Sequence, residues 1–444
     1  MPAEGWALAS VLRLLYSGSK MNLGLTSATA LVVANMIGTG VFSTSGFLLA
    51  DLGSPWLVMA AWAAGGLQAI LGALCYGSLA RRIPESGGEY AFLSRALHPA
   101  AGYVAGWISL LVGFSAPLAA AAFAFGTYAQ PWLGGASPAL TGTLLILSFA
   151  VVHGMEVKRG AQVQNWAVFL KVSLILAFIL LALGKLRPPT ADTYQPFSAS
   201  AFGVSLVWIS FSYSGWNAAV YIGAEVRDPE RTVPRALLVG AILVTLLYLG
   251  LNGVFLFAAP ISELAGQLEV GRIAARAMGG SGLEAAVAGL IALVLISSAS
   301  SLVMAGPRVY SKMAADGYLP RWLAASHGPP RAAIALQAAL ALLLLWTASF
   351  EALLTYIGFT LGISTAATVI ALLVLRLREG KTLSVPGYPV VPWLFLAGVT
   401  AMTAFTVVQK PLQSLVGFGT MAAGFVAWLI SRRAAKEGNF EKTR

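Results

Sequence analysis

Apolar residues run along the chain in blocks of about twenty, separated by short polar stretches, at roughly 25–48, 55–80, 100–128, 136–155, 161–184, 199–224, 233–259, 283–313, 331–349, 352–376, 390–409 and 411–431. Each block is long enough to cross about 30 Å of hydrocarbon as a helix. Backbone groups in lipid must be satisfied within the protein, so such blocks predict helices. A β-barrel would show short alternating segments, and the sequence has none. The pattern predicts an all-α integral membrane protein with about 12 transmembrane helices.

Composition sharpens this reading. Hydrophobic residues are 58% of the 444, charged residues 10%, and the mean hydropathy is +0.79. Soluble domains carry about 25% charged residues. Of the 28 Lys and Arg, 22 fall on the side of the N-terminus if the spans alternate, five on the other side, and Lys171 within a span. That asymmetry places both termini in the cytoplasm and accounts for the net charge of +11 without a nucleic-acid partner. The single cysteine, Cys75, lies within the second span and excludes an internal disulfide or a cysteine-based metal site. Residues 1–20 form a short amphipathic arm with Trp6, Leu8, Leu12, Leu15 and Tyr16, and no cleavable signal pattern. The longest stretches outside spans are 81–99, 185–198 and 259–282, the last expected to hold a short surface helix on the outer side. Loops this short leave little room for an extramembrane catalytic domain.

Two spans are interrupted. The first reads Ala34-Asn35-Met36-Ile37-Gly38-Thr39-Gly40-Val41-Phe42, and the sixth Phe211-Ser212-Tyr213-Ser214-Gly215-Trp216-Asn217. Glycine weakens a helix by about 1 kcal/mol relative to alanine. Either interruption alone is compatible with close packing through small residues. Together they open two groups of five spans that enter the membrane in opposite directions, which is the pattern of an inverted-repeat transporter. The expected organisation is an arm at 1–20, a first repeat at 21–198, an inverted repeat at 199–381, two further helices at 382–432 and a tail at 433–444. An unwound helix offers free N–H groups on one half, which suit an anion, and free carbonyls on the other, which suit a cation. A zwitterion fits both, with its carboxylate on the amides of Gly38, Thr39 and Gly40 and its ammonium on nearby carbonyls.

These residues carry a resemblance. Ile37–Phe42 resembles the first-span signature of the amino acid–polyamine–organocation (APC) superfamily, and Pro84-Glu85-Ser86-Gly87-Gly88-Glu89-Tyr90 its first inner loop. Phe211–Asn217 and Glu225–Pro234 look like its sixth span and following loop. Gly306-Pro307-Arg308-Val309-Tyr310 and Asp316-Gly317-Tyr318-Leu319-Pro320 look like its eighth span and exit. The wording Tyr213-Ser214-Gly215-Trp216-Asn217 is similar to the L-type amino-acid transporter branch. The resemblance covers about residues 21–432. It implies a LeuT-type fold of 5+5 inverted spans plus two extra helices, and a secondary transporter of amino acids. Carried over by position, Gly38, Thr39 and Gly40 receive the substrate carboxylate, and Ile37 and Phe211 give carbonyls to its ammonium. Ser212, Ser214 and Gly215 share the site, Phe211 closes over it, and Asn217 faces the substrate or gate network.

Lys171 lies about 15 Å deep, beyond the reach of snorkelling, so its amine needs a local partner. In related family members a lysine here resembles a substitute for a bound sodium ion, which implies sodium-independent transport; the alternative is a plain tie between spans five and one. Glu225, near Arg227 and Arg231, is either half of an inner-gate ion pair or a solvated loop charge. His98, His153 and His327 sit at loop edges, have no metal-ligand spacing and read as surface residues. No metal and no cofactor is expected. The sequence has no HExxH, G-x-S-x-G or P-loop, which argues against an enzyme and against ATP driving. A channel would favour rings of charges or carbonyls over paired broken helices. Asn217, where several cation-handling relatives carry an acid, favours neutral amino acids over polyamines or other organic cations. The expected partners are a small amino acid and the lipid bilayer. A disulfide-linked accessory subunit is not expected, because the only thiol is within a span.

Overall fold

The computed structural model describes residues 23–155, 160–186, 197–325 and 328–441. The N-terminal arm, Lys158, Arg159, Arg187, His327 and the last three residues of the tail lie outside them.

The described chain is nearly all helical, as its apolar blocks require. Among the described residues nine helices are long and apolar enough to cross a membrane: Leu25–Ser43, Pro55–Arg82, Pro99–Trp132, Asn165–Lys185, Pro229–Ala258, Val270–Ala315, Phe350–Thr382, Val390–Gln409 and Pro411–Ser431. Two shorter apolar helices, Pro138–Gly154 and Arg331–Thr347, fill two further predicted blocks. The remaining block, 199–224, is a helix only over Ala199–Tyr213 and then a 3-10 helix over Ala218–Glu225. It falls short of a full crossing because it is interrupted.

Peripheral helices expose large apolar side chains, among them Leu144, Phe169, Leu180, Leu181, Val408 and Leu412. Water would oppose a surface of that kind, and hydrocarbon accepts it. Trp56, Trp132, Trp346 and Trp393 are exposed near helix ends, where an indole spans the boundary between lipid tails and water.

Inside this apolar jacket the helices form two packed groups. Leu25–Met36, Pro55–Arg82, Ala199–Tyr213 and Pro229–Ala258 pack together. Ala116–Ala129, Pro138–Gly154, Val270–Ala315 and Arg331–Thr347 form the second group. The stretch 259–282 does hold a short helix, Ile261–Leu264, with Ser262 and Glu263 exposed. Beyond it, the chain enters a helix at Val270 that runs on to Ala315 across non-helical Gly279 and Gly280. Val270, Ala274 and Ala275 on its first turns are fully buried, so this stretch is folded into the core rather than laid on the surface. Its apolar face has neighbours to cover it: the Gly271 backbone lies against Ile291 and Phe255.

Candidate substrate site at two broken helices

The first break follows Met36. Ile37 leaves the helix with ψ 91°, Gly38 is extended, and a new helix starts at Thr39. The amides that open this second half have no preceding turn to bond to. The second break follows Tyr213. Ser214 turns to ψ 143°, Gly215 takes φ +99°, and the 3-10 helix begins at Ala218.

The two breaks interlock. A Cβ added at Gly40 would lie 2.4 Å from the Ser212 Cα, and one added at Gly215 would lie 2.7 Å from the Asn35 carbonyl. Each break therefore places a glycine against the backbone of the other, and Gly215 needs its positive φ as well. Tyr248 fixes the pair from behind. Its hydroxyl donates to the Met36 carbonyl at 2.5 Å and lies 3.1 Å from the Ser212 carbonyl. Thr44 Oγ1 is 3.3 Å from Ser212 Oγ. Further along, Leu23 N–H donates to the Glu225 carbonyl at 3.1 Å and Arg227 N–H to Leu23 at 3.0 Å, tying the start of one broken element to the end of the other.

Lys171 meets the carbonyl end of the first break. It is 3% exposed, and its Nζ donates to the Ile37 carbonyl at 3.0 Å and the Ala34 carbonyl at 3.4 Å. These are the acceptors a buried ammonium needs where no water can reach. The two carbonyls assigned to a substrate ammonium thus already accept one bond each: Ile37 from Lys171, and Phe211 from Ser214 N–H at 2.9 Å. Each keeps a second lone pair.

A cavity of about 710 Å³ opens on both breaks, within the size range of small-molecule sites. Gly38, Thr39, Gly40, Phe211, Ser212, Ser214, Gly215, Asn217 and Glu225 all line it. Ile37 and Lys171 lie behind the wall. Phe211 is buried along the cavity, and Ser212 Oγ is turned back to the Trp208 carbonyl at 3.0 Å. The half-buried Glu225 carboxylate makes no ion pair with any described residue; only its backbone carbonyl is engaged. Arg227 and Arg231 point to solvent instead.

Several wall residues escape a reading of the sequence. Ser298 faces the first break, 2.8 Å from where a Gly38 Cβ would stand. The third apolar block is π-helical over Ser109–Ser115, and Ser109, Gly113 and Phe114 face the cavity. Pro117 is the signal for this: without an N–H it cannot bond back to Gly113, and the preceding turn widens. Glu89, placed in a loop by the sequence, is 4% exposed, lines the cavity and takes the Asn217 amide at 2.5 Å. Asn217 therefore has a carboxylate beside it, supplied by another element.

Of the histidines, His98 is exposed at a loop edge as expected, and only His153 needs correction. His98 caps the helix Pro99–Ile108 by accepting from Ala100 N–H at 3.1 Å. His153 is half-buried and bonds Ser300 at 2.9 Å, so it is an interhelix contact rather than a surface residue.

A family model described as amino acid permease matches residues 23–430. The serine/threonine exchanger SteT of Bacillus subtilis (strain 168) is 28% identical over 89% of this chain and 93% of its own length. The human large neutral amino acids transporter small subunit 2 is 26% identical over 93% of this chain and 80% of its own. The mouse Asc-type amino acid transporter 1 is 27% identical over 91% and 80%.

Proposed function

Because the chain belongs to the amino acid permease family, a family of membrane transporters rather than enzymes, we propose that this amino acid transporter carries neutral substrates by alternating access. The observation that carries the proposal is the interlocked pair of breaks opening on one cavity, with a buried ammonium at the carbonyl end of the first. The amides of Gly38, Thr39 and Gly40 hold the substrate carboxylate. The second lone pair of the Phe211 carbonyl, with the serine hydroxyls of the second break, takes its ammonium, while Ile37, behind the wall, serves Lys171 instead. Phe211 closes over the bound substrate and Asn217 couples the site to the gate below it. The relatives' names speak of serine, threonine and large neutral amino acids, all uncharged in their side chains.

The architecture we propose is twelve spans in a 5+5 inverted repeat with two added helices, in the plasma membrane, with both termini cytoplasmic. The packed group that holds both breaks rocks against the second group, and substrate drives the change only by binding the two states unequally. Lys171 stands in for a sodium ion at the first break, so transport needs no sodium. Cys75 is fully buried, which leaves no thiol for a covalent accessory subunit.

The test is counterflow in proteoliposomes. Radiolabelled L-serine, L-threonine or L-leucine exchanges saturably, at the same rate in sodium and choline buffers, and Gly40→Val abolishes it. A sodium requirement overturns the role given to Lys171. Exchange of putrescine without exchange of amino acids favours the second reading, an organic-cation permease, for which the Glu89 carboxylate in the cavity is the supporting observation.

A further inference from the structure

Pro84–Tyr90 is not a free loop. Gly87 and Gly88 turn with φ +125° and +56°, and a Cβ at Gly88 would lie 2.4 Å from the Tyr221 ring. Ser86 Oγ accepts from Ala224 N–H at 3.0 Å. The segment cradles the second half of the second break and delivers Glu89, the first residue of the helix Glu89–Ala96, into the cavity wall.

Its carboxylate has an unusual set of partners. Oε1 accepts from Tyr76 OH at 3.0 Å and Asn217 Nδ2 at 2.5 Å, and Oε2 from Tyr221 OH at 2.7 Å. All three donors are neutral. No Lys, Arg or His among the described residues pairs with it. A carboxylate offers about four acceptor sites, so one is left over on a buried charge that lacks a counter-ion. Burial of a charge without a partner ion is costly, and a mobile cation that fits the cavity relieves that cost when it arrives.

We propose that Glu89, held in place by Asn217 and Tyr221, is a second subsite for the substrate's ammonium group, toward the end of the cavity that carries Arg308 and Lys312, where the neighbouring Tyr90 hydroxyl bonds Asp316, the partner of Lys312. The inference rests on the amino acid carrier reading above. The ammonium leaves neutral acceptors at the second break and meets a full negative charge one contact away, because Asn217 touches both the candidate site and Glu89. The bond it makes there is charge-assisted and stronger than those it leaves. The competing role is a latch, in which Glu89 only holds the loop to the second break. A latch uses the hydrogen bonds; a subsite uses the charge.

The experiment measures half-saturation for L-serine and L-leucine separately at the two faces of the full-length protein in sided proteoliposomes. Glu89→Gln removes the charge and raises half-saturation about tenfold at the Arg308–Lys312 face, with the other face within about twofold. Tyr221→Phe keeps the charge and frees an acceptor site, so half-saturation at that face falls or stays. An unchanged value in Glu89→Gln overturns the subsite, and so does an equal rise in both variants, which is the signature of a latch. If Glu89→Gln does not assemble, a rise in Tyr221→Phe alone overturns it. A wild-type protein that carries neither amino acid removes the carrier reading and the subsite together, whereas active wild type with an unaffected Glu89→Gln removes the subsite only.

Discussion

At the first break the backbone leaves carbonyls facing inward, and a lysine from another helix meets two of them. At the second, the nearest charged group is a carboxylate, held by an amide and two phenols. Both interruptions rest on glycine and lie in contact with each other, yet one is closed by a cation with backbone partners and the other by an anion with neutral side-chain partners. The difference separates two tasks. Lys171 gives the Ala34 and Ile37 carbonyls one partner each from within the protein. Glu89 keeps one acceptor site in reserve beside the cavity.

The largest effect is expected at the filled break. Lys171→Ala orphans the Ala34 and Ile37 carbonyls and leaves a hole, which costs about 2–4 kcal/mol. Thermal unfolding in detergent should show the loss, and transport should be absent. If the variant unfolds like wild type, the first break does not need its cation. Gly40→Ala comes next. Its methyl would have to displace the Ser212 backbone, costing about 1–3 kcal/mol and separating the two breaks. Reduced counterflow with a higher half-saturation at both faces is the expected reading; a neutral result would mean that the interlock is slack.

The same comparison shows which features can be read from the chain. Both breaks are legible because Gly and Ser in mid-block contradict an uninterrupted apolar helix. Lys171 is legible because a charge ten residues into an apolar block has nowhere to hide. Glu89 is not, because Arg81, Arg82 and Pro84 announce a loop, and only the tertiary fold carries that loop back against Tyr221. Ser298 and Tyr248 are ordinary polar residues in membrane helices until the break opposite them is placed. The buried turns that begin at Val270 are not legible, because only the tertiary fold brings Phe255 and Ile291 against them. Local pattern carries the elements and their interruptions, while the charge environment of the cavity depends on contacts between residues more than a hundred positions apart.

Asn217→Ala separates the two breaks at a smaller scale. It removes one donor to Glu89 and leaves Tyr76 and Tyr221 in place, a loss of about 1.5–3 kcal/mol for a bond to a charged group. Because Asn217, unlike Tyr221, also belongs to the candidate site at the second break, the expected result is weaker binding of amino acids, read as a smaller ligand-induced shift in melting temperature. Asn217→Asp should do more, by putting a second carboxylate beside the first. Equal effects of the two substitutions would show that the Glu89 charge is not felt at this position.

The smallest effect is expected at Glu225. Its carboxylate lines the cavity, but the contact that holds this end of the second break is its backbone carbonyl, which accepts from Leu23 N–H. Any residue supplies that carbonyl. Glu225→Gln should therefore change stability by less than about 0.5 kcal/mol and leave counterflow intact. Leu23→Pro deletes the donor instead, and should cost about 1 kcal/mol. If Glu225→Gln slows exchange while the melting temperature holds, the carboxylate finds a cation in another state of the cycle, and Arg227 and Arg231 are the first partners to exchange for glutamine. If it does neither, this end of the second break is held by its backbone bonds, and Glu225 is a solvated charge lining the cavity.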